Sequence, residues 1–271
     1  MPAVSDEVRA AVADRLDRVE AEHGVSVLYA CESGSRAWGF PSTDSDYDVR
    51  FVYVHPRDWY LSINLERRDD TLDPPIDDEI DLHGWDLRKA LGLFRTANPT
   101  LLDWLQSPIV YRENEAVMAR WRSLIPDYYT PEAAGHAYRG LARSVSKQNL
   151  ADEPIPHKAY LYVLRALLAV RWAEQDRGPV PVEFDRLVTA TVEANELRAA
   201  IDALVAQKRA GTERDAGSRL PVLHDFIDAE LERQADAQFP DAEPRPGTKP
   251  LNDFFRTVLA QTADSYTESD S

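Results

Sequence analysis

Sulfur and lysine are scarce in this chain: of 271 residues only Cys31 is a cysteine, two are methionine and five are lysine. One cysteine excludes an intrachain disulfide. Inside the apolar run Val25–Cys31 it reads as a small buried hydrophobe rather than a catalytic thiol. No apolar run approaches the ~20 residues a membrane helix needs, and no basic-plus-apolar leader is read, so a soluble cytoplasmic protein is expected. Neither Gly-x-x-x-x-Gly-Lys-Ser/Thr nor Gly-x-Gly-x-x-Gly occurs, which sets aside the common ATPase and dinucleotide-binding designs. Positive charge is also short, with 31 Lys and Arg against 47 Asp and Glu and a net charge of −16. Such a surface repels polyanions unless basic residues gather locally. Abundant Asp, Glu and Arg with little Lys also resembles salt-adapted or high-GC proteomes. There salt screens the field within about 3 Å at ~1 M, so bulk charge says little about the substrate.

What the chain does have is ample apolar content, 44%, with six Trp and eleven Tyr spread along its length, enough for a sizeable core. Val8, Ala11, Val12, Leu16 and Val19 recur at helical spacing between Asp6 and His23, and Gly24 marks a stop. Val25–Cys31 reads as a buried strand, followed by a glycine-punctuated loop to Asp44 and a second strand, Tyr47–Val54. A charged connection holding Asp69-Asp70 and Pro74-Pro75 precedes a third strand, Glu79–Trp85, and helical periods follow from Asp86 and from Pro99. Beyond Pro108 the spacing predicts helices at Glu113–Leu124, Pro131–Leu150, His157–Gln175, Phe184–Lys208, Leu220–Gln238 and Asp253–Thr262. The expected class is α+β: a mixed sheet with flanking helices over residues 1–126, then an all-helical domain over 127–271 ending in a disordered acidic tail near 264–271.

The informative stretch is Glu32-Ser33-Gly34-Ser35-Arg36-Ala37-Trp38-Gly39, a ten-residue step from Gly34-Ser35, then Asp46-Tyr47-Asp48-Val49. Two aspartates separated by one strand residue project from one face, where their carboxylates can share hard cations that also bind triphosphate oxygens. Two such ions, about 3.5–4 Å apart, can activate an attacking oxygen and stabilise a leaving one. On the next strand Asp81 alternates with Ile80 and Leu82 and offers a further carboxylate; Glu79 and Asp86 are its competitors, and a strand-end ion pair is the competing reading of all three. Gly34 allows close approach to a phosphate and Ser35 can donate to it. Arg36 has two readings, a phosphate ligand or a partner of a structural carboxylate. Asp44 reads as a turn or cap residue.

These residues resemble the motif of DNA polymerase β-like nucleotidyltransferases: Gly-Ser, roughly ten residues, Asp-x-Asp, and a later carboxylate. A narrower resemblance, to the RlaP-type family linked to RNA repair, rests on four further strings. They are Gly34-Ser35-Arg36-Ala37-Trp38-Gly39, Asp44-Ser45-Asp46-Tyr47-Asp48-Val49-Arg50, Gly84-Trp85-Asp86-Leu87-Arg88-Lys89-Ala90-Leu91, and Asn98-Pro99 with Trp104-Leu105-Gln106-Ser107-Pro108. Lys158-Ala159-Tyr160 and Leu164-Arg165 extend it into the helical half. The resemblance implies a polymerase β-like palm, an NTP substrate (ATP among them), Mg²⁺ or Mn²⁺ on Asp46, Asp48 and Asp81, and triphosphate held at Gly34, Ser35 and Arg36. It also implies transfer of a nucleoside monophosphate to an acceptor hydroxyl, an RNA end in the repair setting. Transfer to a protein such as a toxin or to a small molecule, and a catalytically idle nucleotide- or RNA-binding scaffold, are the rival readings.

Lys158, Tyr162 and Arg165 fall at i, i+4 and i+7, so one helical face could close over base and triphosphate; an amphipathic helix with packed aromatics is the plainer reading. If RNA is the acceptor, Arg139, Arg143, Lys147, Lys158 and Arg165 should gather into a basic strip. His83, His136 and His157 lack metal-ligand spacing and read as polar or capping residues.

Overall fold

The computed structural model describes residues 4–76, 79–241 and 244–268, with residues 263–268 by backbone alone. Helix α1 (Asp6–His23) starts where the Ser5 side chain accepts from Val8 N and ends at Gly24, whose φ of 61° is the left-handed turn that favours glycine. It leads into β1 (Ser26–Glu32), the short α2 (Gly34–Trp38), β2 (Tyr47–Val54), α3 (Arg57–Tyr60), β3 (Thr71–Leu72), β4 (Ile80–Asp86), α4 (Leu87–Arg95), α5 (Pro99–Leu105) and β5 (Val110–Glu113). Strand order is β3-β4-β2-β1-β5. β1 runs antiparallel to β2 and β5, β3 antiparallel to β4, and β2 parallel to β4, so the sheet is mixed.

Alternation divides the sheet into two faces. Val49, Phe51 and Tyr53 with Ile80 and Leu82 pack on Val12, Leu16 and Val19 of α1. The opposite face sends Tyr29, Cys31, Val52 and Val54 into a larger core that runs without a break into the helices beyond. These are α6 (Glu115–Arg122), α7 (Ile125–Tyr128), α8 (Pro131–Asn149), α9 (His157–Glu174), α10 (Phe184–Thr191), α11 (Asn195–Ala210), α12 (Pro221–Arg233) and α13 (Lys249–Glu268). A two-stranded ladder joins β6 (Ile155–Pro156) to β7 (Ala216–Gly217). Helix α9 is buried on nearly every side, and α13 folds back on the sheet-bearing half, where Phe254 meets Trp121 at 5.7 Å and Phe255 meets Tyr60 at 5.0 Å.

The fold is α+β, as the sequence indicates, with local differences. The helix expected at Phe184–Lys208 is two, because the chain turns extended at Val192 after a β-branched run that disfavours helix. Arg171 satisfies the freed Thr191 carbonyl at 3.0 Å. Glu113 closes β5 rather than opening a helix; Asn114 caps α6 instead. Of the tail expected near 264–271, the backbone through Glu268 continues α13, and residues 269–271 lie outside the described residues. Among the described residues no helix is long and apolar enough to cross a membrane.

Candidate active site

The parallel register of β2 and β4 sets Asp48 directly opposite Asp81 on one sheet face, and Asp46 lies two residues before Asp48 at the strand entrance. Of the other two carboxylates considered for β4, Asp86 is on the buried face. There it caps α4, accepts from Tyr60 Oη at 2.5 Å, and is pushed up to about 6 by burial. Glu79 sits at a positive-φ turn, its carbonyl accepting from Tyr47 N at 2.7 Å. Arg50 links the facing pair: one terminal nitrogen donates to Asp48 Oδ1 at 2.7 Å and to Asp81 Oδ2 at 2.8 Å. Burial pushes the Asp48 carboxyl up, Arg50 pulls it down, and Asp81, Asp46 and Glu213 push it up again.

Gly34 adopts φ 59°, and a Cβ there would strike the Asp48 carboxylate, so the turn brings bare backbone against Asp48. Ser35 is buried, its hydroxyl 3.3 Å from that of Ser45. The Arg36 guanidinium donates to the Ser45 and Asp46 carbonyls and lies 3.9 Å from the Tyr47 ring centre. It braces the approach to Asp46 through backbone and, among the described residues, forms an ion pair with no carboxylate. Behind the pair, fully buried Glu32 accepts from Asp48 N at 3.0 Å and from Tyr111 Oη, and burial lifts its carboxyl to about 7.

The helical half closes the other side. Tyr162 stacks edge-on with Trp38 at 4.8 Å, and burial, with Asp48 and Glu213 nearby, raises its hydroxyl to about 12. Lys158 is half-exposed and reaches Glu213 at 3.5 Å. Arg165 shares the Trp38 ring with Tyr162, at 4.4 Å from its centre, but from the interior: it is 2% exposed and bound to Asp103 at 2.9 Å. The basic strip expected on the surface is therefore not assembled. Arg165 is interior, Lys158 faces Glu213, and Arg139 donates to the Gln234 and Ala235 carbonyls, while Arg143 and Lys147 stay exposed.

Sequence reasoning missed Glu213. It accepts from Ser42 Oγ at 2.8 Å, Ser45 Oγ at 2.5 Å and Lys208 Nζ at 2.6 Å. Burial opposes its charge, yet these donors hold its carboxyl down at about 2. Gly211 accepts from Thr43 N at 3.1 Å and Asp44 accepts from Glu213 N at 2.7 Å, so the 211–213 loop clamps the segment leading to Asp46. Nothing in local spacing signals partners 168 positions apart; the scarcity of lysine was the one available cue to Lys208.

Among the described residues no group of three or more His, Cys, Asp or Glu is gathered to hold a metal ion; Arg50 is the cation shared by Asp48 and Asp81. The donor chemistry nonetheless fits a hard divalent ion: carboxylate oxygens only, mutual repulsion that a cation relieves, and backbone kept clear at Gly34.

The chain is 45% identical over 226 residues to the uncharacterized protein YcgL of Bacillus subtilis (strain 168), covering 83% of this chain and 86% of that one. Residues 8–257 match the family RlaP, described as RNA repair pathway DNA polymerase beta family. With nearly its whole length in that match, and with a Gly-Ser turn packed on paired aspartates of a mixed sheet, the chain belongs to the RlaP family of the polymerase β type.

Proposed function

We propose that this protein is a metal-dependent nucleotidyltransferase that moves a nucleoside monophosphate from an NTP to an acceptor hydroxyl, with an RNA end as the acceptor. The observation that carries the reading is Asp48 in register with Asp81, with Asp46 just before them and Gly34 laid against the Asp48 carboxylate. Asp46, Asp48 and Asp81 would hold Mg²⁺ or Mn²⁺, which when bound supplies charge neutralisation at the transferred phosphoryl and the leaving pyrophosphate. Gly34 and Ser35 would receive the triphosphate, Arg36 fixes the strand entrance, and Lys158 and Tyr162 border the same space from α9. The acceptor oxygen forms a bond to the α-phosphorus, the bond from α-phosphorus to the bridging oxygen breaks, pyrophosphate leaves with that oxygen, and the hydroxyl proton passes to the carboxylate cluster. Such catalysis is positioning and electrostatics.

A second reading, a protein or small-molecule acceptor, is favoured by the missing basic strip. The test is incubation with each α-³²P-labelled NTP, Mg²⁺ or Mn²⁺ and an RNA pool, beside the double variant Asp46→Ala, Asp48→Ala. Label on RNA that vanishes in the variant is the expected outcome. Label on protein supports the second reading, as does the absence of label on both RNA and protein when NTP still binds with metal; failure to bind any NTP in the presence of metal overturns the transferase.

A further inference from the structure

Asp81 is the first of a row. Along β4 the half-exposed side chains Asp81, His83 and Trp85 alternate with buried Ile80, Leu82, Gly84 and Asp86, and Arg50 pairs with His83 in the neighbouring strand. Trp85 lies nearly flat on Trp104, ring centres 3.8 Å apart and planes 27° apart; Trp104 is 2% exposed, so Trp85 rests on a fixed backing. His83 stands edge-on to both rings, at 6.0 and 6.2 Å, and is held on its other side by Asp73. With a strand rise of about 3.3 Å per residue, His83 stands roughly 7 Å from Asp81 and Trp85 roughly 13 Å. These aromatics have no part in the chemistry described above.

We propose that the His83–Trp85 ledge receives the terminal base of the acceptor, a single-stranded RNA whose 3′ hydroxyl reaches the Asp81 end of the row. This rests on the transferase reading and names the partner of that same site. Stacking on an aromatic side chain strengthens binding by roughly 5-fold or more per base and tolerates any sequence. It also suits the local charge. Asp73 borders the ledge at His83, Asp70 is neutralised by Lys89 at 2.8 Å, the chain carries −16, and Arg165 is interior. Capture of one neutral base by its π-face needs no row of phosphate contacts, so recognition falls on the last nucleoside rather than on a long polyanion.

The experiment measures binding of a 5′-fluorescein single-stranded RNA to the full chain without NTP, by anisotropy. It compares wild type with His83→Ala, Trp85→Leu and the ring-conserving Trp85→Phe, and maps crosslinks from an RNA ending in 3′ 4-thiouridine. Expected are a loss of roughly 5-fold or more in Trp85→Leu, a smaller loss in His83→Ala, near-retention in Trp85→Phe, unchanged NTP binding, and crosslinks at residues 83–85. Because few phosphates are engaged, RNA affinity should fall only weakly with salt. Equal binding by all variants, or crosslinks elsewhere, overturns the proposal; if Trp85→Leu does not fold, His83→Ala and the crosslink decide. Ledge-dependent RNA binding without binding of any NTP in the presence of metal sinks the transferase and keeps the ledge. Transfer to RNA with an RNA KM unmoved by these variants keeps the transferase and sinks the ledge.

Discussion

At the scale of single residues, function concentrates where local preference is overridden. Gly34 combines a left-handed φ with contact against Asp48. Gly34→Ala is expected to cost about 1–2 kcal/mol and, by displacing the carboxylate, to lower transfer far more than stability. Melting curves beside kcat separate the two effects. Glu230 makes a pH prediction away from the site. Burial, at 3% exposure, opposes its charge, but hydrogen bonds from Arg171 at 2.7 and 2.8 Å and from Arg233 hold its carboxyl at about 2. The folded value lies below the unfolded one, so this group's stabilisation is present above the ordinary glutamate range and is lost as pH falls from about 4.5 through 2. Its size is on the order of 3 kcal/mol. Glu230→Gln should flatten that acid limb in urea titrations; an unchanged limb would assign acid sensitivity elsewhere.

At the scale of elements, the clamp between α11 and the loop before β2 ties the helical half to the carboxylates. Lys208, 1% exposed, donates to Ser42 Oγ at 2.8 Å and to Glu213. The carboxylate that loses its partner, Glu213, is 27% exposed and keeps Lys158 at 3.5 Å, so the cost falls below the about 3–5 kcal/mol of a fully buried pair. Lys208→Met is therefore expected to destabilise moderately and to loosen residues 42–46, which hydrogen exchange reads directly. Protection unchanged there would reduce the clamp to a surface ion pair. Helical and strand elements themselves were largely legible: β-branched runs gave β1 and β2, and apolar periods gave α1, α8 and α9. The break between α10 and α11 was not, because a β-branched run weakens a helix without ending it, and Arg171, which satisfies the freed carbonyl, comes from another helix. Nor were β3 and β5, which exist through their partners in the sheet.

At the scale of the whole molecule, two features dominate. The excess of 16 negative charges repels itself in the folded state, so the midpoint of thermal unfolding should rise as NaCl increases from about 0.05 to 1 M. A flat or falling midpoint would mean that the acidic groups are locally neutralised. The second feature is closure of the chain: α13 covers Trp121 and Tyr60 with Phe254 and Phe255. A chain ending at Gly247 uncovers that core. It should lose several kcal/mol at roughly 25 cal/mol per Å² of apolar surface, readable as a lowered melting midpoint even though the cut lies far from Asp48 in sequence.

The sequence by itself determined what short range encodes: the α+β alternation, the Gly34-Ser35 turn, the Asp46–Asp48 spacing at the start of a strand, and family membership through strings of neighbouring residues. Asp81 was reachable because strand alternation fixes its face. Tertiary structure alone decided the partners. It set Asp81 opposite Asp48 rather than Glu79 or Asp86, placed Arg50 between them, turned Arg165 inward to Asp103, and brought Glu213 and Lys208 to the loop before Asp46. The physical reason is common to all of these. Periodicity tells which side of an element a residue occupies, whereas the identity of what lies across from it depends on register and packing between segments far apart in the chain.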